Sequence, residues 1–492
     1  MDSLTEVASV LTQRARHARG LIQRDYERLN LADRYLRGFH RAPFIPKKAN
    51  PEFRALVKRS FDNIVPLIVD APTNAMGVDG YRRSGSDTNA PEWKWWQANR
   101  LDQRQHQVHR GALAAGHSYV TVLPGMRPGE KRDRPQVRAY DAVKTVAVYE
   151  DPTFDPFPLY ALHLDRTPGD GGQEPHTGRL IDDQAVYHLD FESGDPKVTK
   201  VEQHGMGVCP VVRFAPAVDL QGRTQGLVER VMTTQDRINQ MTLNMLIAQH
   251  YGAFAIRFAT GLAPVEVLDE YGDPVRDENG QPTFLPPVLD PSTLLVSPNA
   301  ETEFGQLPAQ STKDLQDSIA MAVKHACMVT ETPPHYVMSD MVNMAADALA
   351  AAESAFMRKV AEVQAAFGES WESVMRLCAL VAGDRAGFED EESEVVWADR
   401  GNRSFAQAAD AGLKLSQIGV PLGIVLRKVP GFTQSDIDEA VKEWKAAQEQ
   451  RLREIAASQQ AKAPDEGVND GDERGRAAGD SRVPAGAGAH SR

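Results

Sequence analysis

With 492 residues, the chain exceeds what one hydrophobic core usually supports, so two or more domains are expected. Hydrophobic residues make up 41% and charged residues 25%, enough to bury a sizeable core, and no run of about 18 apolar residues marks a membrane-spanning helix. The formal net charge of −13 argues against a tight grip on nucleic acid, whose affinity comes from neutralised phosphates, but not against a surface past which DNA slides.

The first residues show no basic start followed by an apolar stretch, so no signal peptide is expected, and a cytoplasm-like compartment follows. Cys209, Cys327 and Cys378 lie far apart without metal-ligand spacing and read as reduced, buried thiols.

In chain order, helix is predicted over 3–37, where Leu4, Val7, Leu11, Ala15, Ala18, Ile22 and Tyr26 recur at helical steps. Prolines break the chain at 40–51, and helix resumes beyond Pro51 with a boundary or kink at Pro66. Trp93, Trp95 and Trp96 precede a further helical stretch. From Gly116 to about 216, short β-rich runs separated by Pro, Gly and Asp predict an antiparallel meander.

Residues 224–250 form a strong helical pattern with a stripe of Leu227, Val231, Thr234, Ile238, Met241, Met245 and Ala248. Leu243, Leu246 and Ile247 lie off that stripe, so the helix is expected to be covered on more than one side. Residues 251–311 are rich in Pro, Gly and Asp, and Asn279-Gly280 is a hairpin signal; a small β-containing insertion is predicted. Helix returns over 312–329. Pro333 and Pro334 end it, and the longest helix, 345–382, follows with an estimated span of about 50 Å or more. Three short helices then follow, the last capped by Thr433 or Ser435. Beyond about 458 the composition cannot offset its ordering entropy and predicts disorder.

Catalytic signatures are missing. The chain has no phosphate loop, no H-E-x-x-H, no G-x-S-x-G and no C-x-x-C, and no catalytic residue, cofactor or metal is expected. His106 and His109 are three residues apart, but a solvated helix face is the plainer reading of the pair. The acidic run Glu389, Asp390, Glu391, Glu392 reads as a solvated loop. The tryptophan cluster, with Lys94 and Arg100 beside it, invites base stacking, although core or subunit packing fits its short basic context better.

The order of parts carries more than any motif. FDNIVPLIVDAPTNAMGVDGYR, WWQANRLD, GHSYVTV, AYDAVKTVAVYEDP, GVCPVVRF, GLVERVMTTQDRINQMTLNML with Asp236 and Asn239, and ETPPHYVMSDMVNMAADALAAAES succeed one another over roughly residues 30–455. In this order and spacing the chain resembles the portal proteins of long-tailed bacteriophages, siphophage type. The resemblance implies an α+β, elongated multi-domain portal fold with long helices, an antiparallel wing sheet and a small inserted clip. It implies a wing over 1–223 and 346–402, stem helices over 224–250 and 312–330, a clip over 251–311, a tunnel loop over 331–345 and a crown over 403–457, before the tail of 458–492.

Function follows by the same implication. The chain would be one of about 12 subunits in a ring at one capsid vertex, a conduit for DNA packaging and ejection, first made in the host cytoplasm. Its partners would be the terminase packaging motor, the head-tail adaptor, the major capsid and scaffolding proteins, and double-stranded DNA passing non-specifically, with no membrane. The tunnel-loop candidates are His335, Tyr336, Val337, Met338, Ser339, Asp340, Met341, Val342 and Asn343, which include no Lys or Arg. Lys313 and Lys324 are possible stem contacts to the DNA backbone. Two other readings stand beside this one: a metal-dependent hydrolase built on His106, His109 and the 389–392 carboxylates, and another phage head structural or adaptor protein.

Overall fold

A computed structural model of the chain describes residues 2–47, 51–86, 88–125, 131–167, 176–192, 194–252, 257–260, 265–278, 280–285, 303–306, 312–338, 346–398, 405–429 and 431–460. It divides into two compact units, residues 1–438 and 439–492.

The first unit opens with α1 (Asp2–Leu36), α2 (Pro51–Val57), α3 (Val65–Ala75), β1 (Val78–Arg82), α4 (Trp93–Ala98) and α5 (Leu101–Ala115). Strands β2 (Ser118–Pro124), β3 (Pro135–Asp141), β4 (Thr145–Val148), β5 (Tyr160–Leu164), β6 (Thr177–Ile181), β7 (Ala185–Asp190), β8 (Lys197–Gln203) and β9 (Val211–Phe214) follow. Helix α6 (Leu227–Gly252) leads into short strands β10 (Arg257–Thr260), β11 (Val265–Glu266), β12 (Phe284–Leu285) and β13 (Glu303–Gln306). The chain then returns through α7 (Lys313–Val329), α8 (Ala346–Val381), α9 (Arg385–Phe388), β14 (Glu394–Trp397), α10 (Phe405–Gln417) and α11 (Leu422–Leu426). Helix α12 (Gln434–Gln460) starts in the first unit and makes up the described part of the second.

The predicted meander is a five-stranded antiparallel sheet in the order β4-β5-β6-β7-β8, beside a three-stranded sheet β3-β2-β9. Hydrophobic alternation explains one face of the larger sheet. Leu162, Leu164, Leu180, Leu189 and Phe191 pack against Leu11, Ala15, Ala18 and Ile22 of α1, the stripe that the helical period marks.

The main core gathers around α8. Phe356, Val360, Val363, Phe367, Trp371, Val374 and Cys378 are all buried, stepping by three and four along 36 residues of helix. Trp371 is the centre of an aromatic cluster: Phe214 lies at 4.7 Å and Trp96 at 4.8 Å, both edge-on. Its indole Nε1 donates to His109 Nε2 at 2.8 Å, which assigns the His109 proton to Nδ1. His109 is fully buried, and its ring stacks on Phe367 at 5.1 Å. The solvated face expected for this histidine is therefore corrected: a donor 262 residues away in sequence lets it be buried.

The tryptophan cluster also packs inward. Trp93 stacks on Trp96 at 5.0 Å, Trp96 is fully buried, and Lys94 lies over the Trp95 ring.

One ion network ties β1 to the end of α8. Arg83 donates to Glu92 and to Asp384, and Glu92 has only 4% of its side chain exposed. Gly387 leaves the room: a Cβ there would lie 2.4 Å from Arg83 Nη2. Another close approach sets the start of α6. A Cβ on Gly226 would lie 2.0 Å from the Ala114 carbonyl oxygen, so the crossing of α5 and α6 requires glycine.

Glu372, half-buried on α8, has its pKa raised from 4.5 to about 7, mainly by burial and further by Glu369 and Glu394, against the Val395 N–H that donates to it at 3.0 Å. A carboxyl whose folded pKa lies above its unfolded value favours the folded state only while protonated. Stability is therefore lost as pH rises from about 4.5 through about 7. Glu372→Gln keeps the oxygen that accepts from Val395 and removes the charge. Its unfolding free energy, from denaturant titration, should match wild type near pH 4.5 and exceed it above pH 7, by on the order of 1 kcal/mol after solvent screening. A stability difference independent of pH would contradict this.

Candidate functional site

The residues that set the site lie along α6, α7 and the root of α8. Helices α6 and α7 pack against each other, and the chain between them holds two antiparallel strand pairs, β10 with β13 and β11 with β12. Beyond β11, Gly280 takes φ +76 and donates to the Asp277 carbonyl at 3.0 Å, closing a tight turn; Asn279 lies outside the described residues. Leu268 and Tyr271 of this inserted segment are exposed, Tyr271 at 90%.

Helix α6 is anchored by polar groups rather than by a purely apolar face. Gln235 and Asn239 are fully buried. Gln235 Oε1 accepts from the Ile64 N–H at 3.2 Å, while its Nε2 donates to the Asp62 carbonyl at 2.5 Å. Asn239 Oδ1 accepts from the Asp62 N–H at 3.3 Å, and its Nδ2 donates to His40 Nδ1 at 3.0 Å. His40 Nε2 faces two acceptors, the Tyr35 carbonyl and Asn63 Oδ1, which places its proton on Nε2. Tyr35 completes the hub by donating to Asp236 Oδ1 at 2.6 Å, and burial with this bond pushes its phenol up to about 12. The sequence reading missed Gln235 and placed the buried face too far toward the apolar stripe. The polar spacing Gln235, Asp236, Asn239 on a helix was the available signal.

Lys313 and Lys324 are both exposed on α7, with Asp314 and Asp317 exposed near them. Two basic residues that the reading passed over, Arg230 and Arg237, are exposed two turns apart on one side of α6. Arg237 Nη2 lies 3.3 Å from His325 Nδ1 of α7. A basic pair at i, i+7 was the sequence signal for them.

The loop after α7 is fixed at its root. Glu331 turns the chain at φ +54, the Thr332 N–H donates to the Cys327 carbonyl at 2.9 Å, and Lys359 of α8 donates to the Thr330 carbonyl. Burial lowers the Lys359 pKa. A short 3-10 turn, Pro334–Tyr336, follows. Of the nine loop candidates, His335, Tyr336, Val337 and Met338 are described; Ser339, Asp340, Met341, Val342 and Asn343 lie outside the described residues. The His335 side chain is only 6% exposed and sits 3.9 Å from Glu353. Tyr336 is exposed and meets Phe356 edge-on at 5.4 Å, while Val337 and Met338 pack partly against the main core. Tyr336, Glu353 and Met357 face Leu67, Asp70 and Asn74 of α3 across a cleft of about 430 Å³.

No catalytic constellation forms from the other candidates. His109 is taken by Trp371. In the acidic run, Asp390 accepts from the Ser84 N–H, Glu392 from the Ser84 hydroxyl, Glu389 from Arg385, and Glu391 pairs with Arg376. Among the described residues, no group of three or more His, Cys, Asp and Glu is placed to hold a metal, and no helix is long and apolar enough to cross a membrane.

The arrangement is a helix-and-sheet body from which a helix pair carries a strand-containing insertion, with the start of the following loop braced against a long helix. The chain belongs to the SPP1 Gp6-like phage portal protein family, whose model matches residues 22–454. It is 26% identical to the portal protein of Mycobacterium phage D29 over 391 residues, covering 77% of each chain. It is 25% identical to the portal protein of Mycobacterium phage L5 over 358 residues, covering 71% of each. Among solved structures, a chain from the neck of a native gene transfer agent particle, computed with C12 symmetry, gives a TM-score of 0.39 at 12% identity, covering 81% of this chain and 99% of that one. A chain from the virion of the native particle gives 0.38 at 13% identity, covering 79% and 96%.

Proposed function

We propose that about 12 copies of this chain form a ring at one capsid vertex, through which double-stranded DNA enters during packaging and leaves during ejection. The observation that carries the reading is the family match over residues 22–454, which spans the α6–α7 pair and its insertion. In this reading α6 and α7 are stem helices, the segment between them is the clip, and residues 331–345 form the loop nearest the DNA. The exposed Leu268 and Tyr271 suit a clip that docks the packaging motor and later the head-tail adaptor. Twelve copies at −13 each carry a formal −156, which limits adhesion of the phosphate backbone. Lys313, Lys324, Arg230 and Arg237 would supply sparse, sequence-independent backbone contacts. Capsid and scaffolding proteins would hold the ring in the shell, and assembly would take place in the host cytoplasm. Motor work would belong to a separate ATPase.

Gold-labelled antibody against this chain tests the placement on assembled particles opened by mild denaturant. One labelled vertex per head, at the tail attachment, is the expected result. Label spread over all vertices or along the tail would contradict it.

A further inference from the structure

Two exposed apolar faces of the first unit are kept apart by helix α6. On α7, Met321 and Met328 are 55% and 69% exposed. At 3.6 residues per turn they form one line, directed away from Val323 and Ala326, through which α7 is buried. The second face gathers about Asn239 and Gln240 of α6. Gln240 bonds both the Phe44 N–H and its carbonyl, and Asn239 holds His40 and the Asp62 N–H. Around these anchors Phe39, Phe44 and Phe61 are 59%, 80% and 37% exposed. Asn239 stands about 160° around α6 from Arg237, the residue that meets His325 of α7. The methionine face and the phenylalanine face of one chain therefore do not cover each other.

Charge points to the occupant. Between 37 and 62, among the described residues, the exposed basic side chains Arg37, Arg41, Lys47, Arg54, Lys58 and Arg59 outnumber the exposed carboxylates Glu52 and Asp62. The whole chain, by contrast, carries −13. Beside the methionine line stand Asp314, Asp317 and Lys324, acidic on balance. A two-fold pairing would set the basic phenylalanine face against its own copy, like charge on like. A head-to-tail pairing sets the more acidic face on the basic one and adaptable thioethers on aromatic rings. Repeated through a rotation that closes, such a heterologous contact generates a ring.

We infer that the α7 face of Met321 and Met328 on one copy docks against the Phe39, Phe44 and Phe61 face beside α6 on the next copy, head to tail. The inference rests on the ring reading and assigns the two halves of its subunit contact to named surfaces.

Cross-linking in the full-length protein tests it. Cys209, Cys327 and Cys378 are buried, so added thiols are read against a quiet background. Asp317→Cys and Arg41→Cys sit at exposed positions beside the two faces and leave every apolar group in place. Both single variants and the double variant are first checked for wild-type native mass by light scattering and then treated with a short bismaleimide. The double variant should give a ladder on denaturing gels, with most of the chain in species of three or more copies. Each single variant should stay a single chain. Products no larger than two chains from the double variant, within an intact large oligomer, would overturn the pairing while leaving the ring standing. Two-chain bands from either single variant would mean two-fold contacts and would also overturn it. Loss of the large oligomer by either single variant, with unchanged circular dichroism, would put that surface in the contact and support the pairing. A wild-type protein that is monomeric throughout would remove the ring and the pairing together.

Discussion

Replacing Trp371 by alanine should lower the stability of the first unit by about 3–5 kcal/mol, the range for a large aromatic removed from a packed core. The indole is fully buried and touches Phe214, Trp96 and His109, which come from β9, α4 and α5. Its loss opens a cavity where four elements meet, and rigid helices and a sheet cannot close around it. Two effects are combined in the alanine variant, and Trp371→Phe separates them. Phenylalanine keeps most of the volume but removes the N–H that His109 Nε2 accepts, so it should cost about 1–3 kcal/mol. Denaturant midpoints should therefore fall in the order wild type, Phe, Ala. A Phe variant as damaging as Ala would mean that the hydrogen bond, rather than the packing, carries the junction.

Removing the Arg83 guanidinium should have an effect of similar size. Glu92 is all but sealed from solvent and faces Arg83, so Arg83→Met leaves a buried carboxylate without its countercharge, at a cost of about 3–5 kcal/mol. Lysine should restore little of this, because Arg83 meets Glu92 through both Nε and Nη2 and reaches Asp384 as well. The double variant Arg83→Met, Glu92→Leu should be more stable than Arg83→Met alone, since no buried charge is left unpaired. Equal stability of the single and double variants, measured by denaturant unfolding at neutral pH, would show that the network is held by Asp384 and not by Glu92.

Both junctions show which parts of the molecule were legible in sequence. The α8 stripe from Phe356 to Cys378 was readable because every apolar step is local and repeats at helical spacing. The α1 stripe and the strands it covers were readable for the same reason. The insertion announced itself by a change and return of composition. Partners that arrive from far along the chain were not legible. His109 looks like a surface histidine until Trp371 supplies its donor, and Gln235 and Asn239 look like a polar helix face until residues 40 and 62–64 fold against them. Local chemistry does better: of the two caps considered for α12, Thr433 is the one used, its hydroxyl accepting from the Asp436 N–H at 3.2 Å while Asp436 accepts in return. The loop after α7 is the least legible part. Its candidates run from His335, held beside Glu353, into residues 339–343, which lie outside the described residues.

The ring itself is the central claim, and native mass tests it most directly. Purified full-length protein should elute as one species near twelve times 54.1 kDa, about 650 kDa by light scattering, and negative-stain images of that peak should show rings with a central opening. A monodisperse monomer or dimer, unchanged at high protein concentration and across a range of salt, would contradict the account.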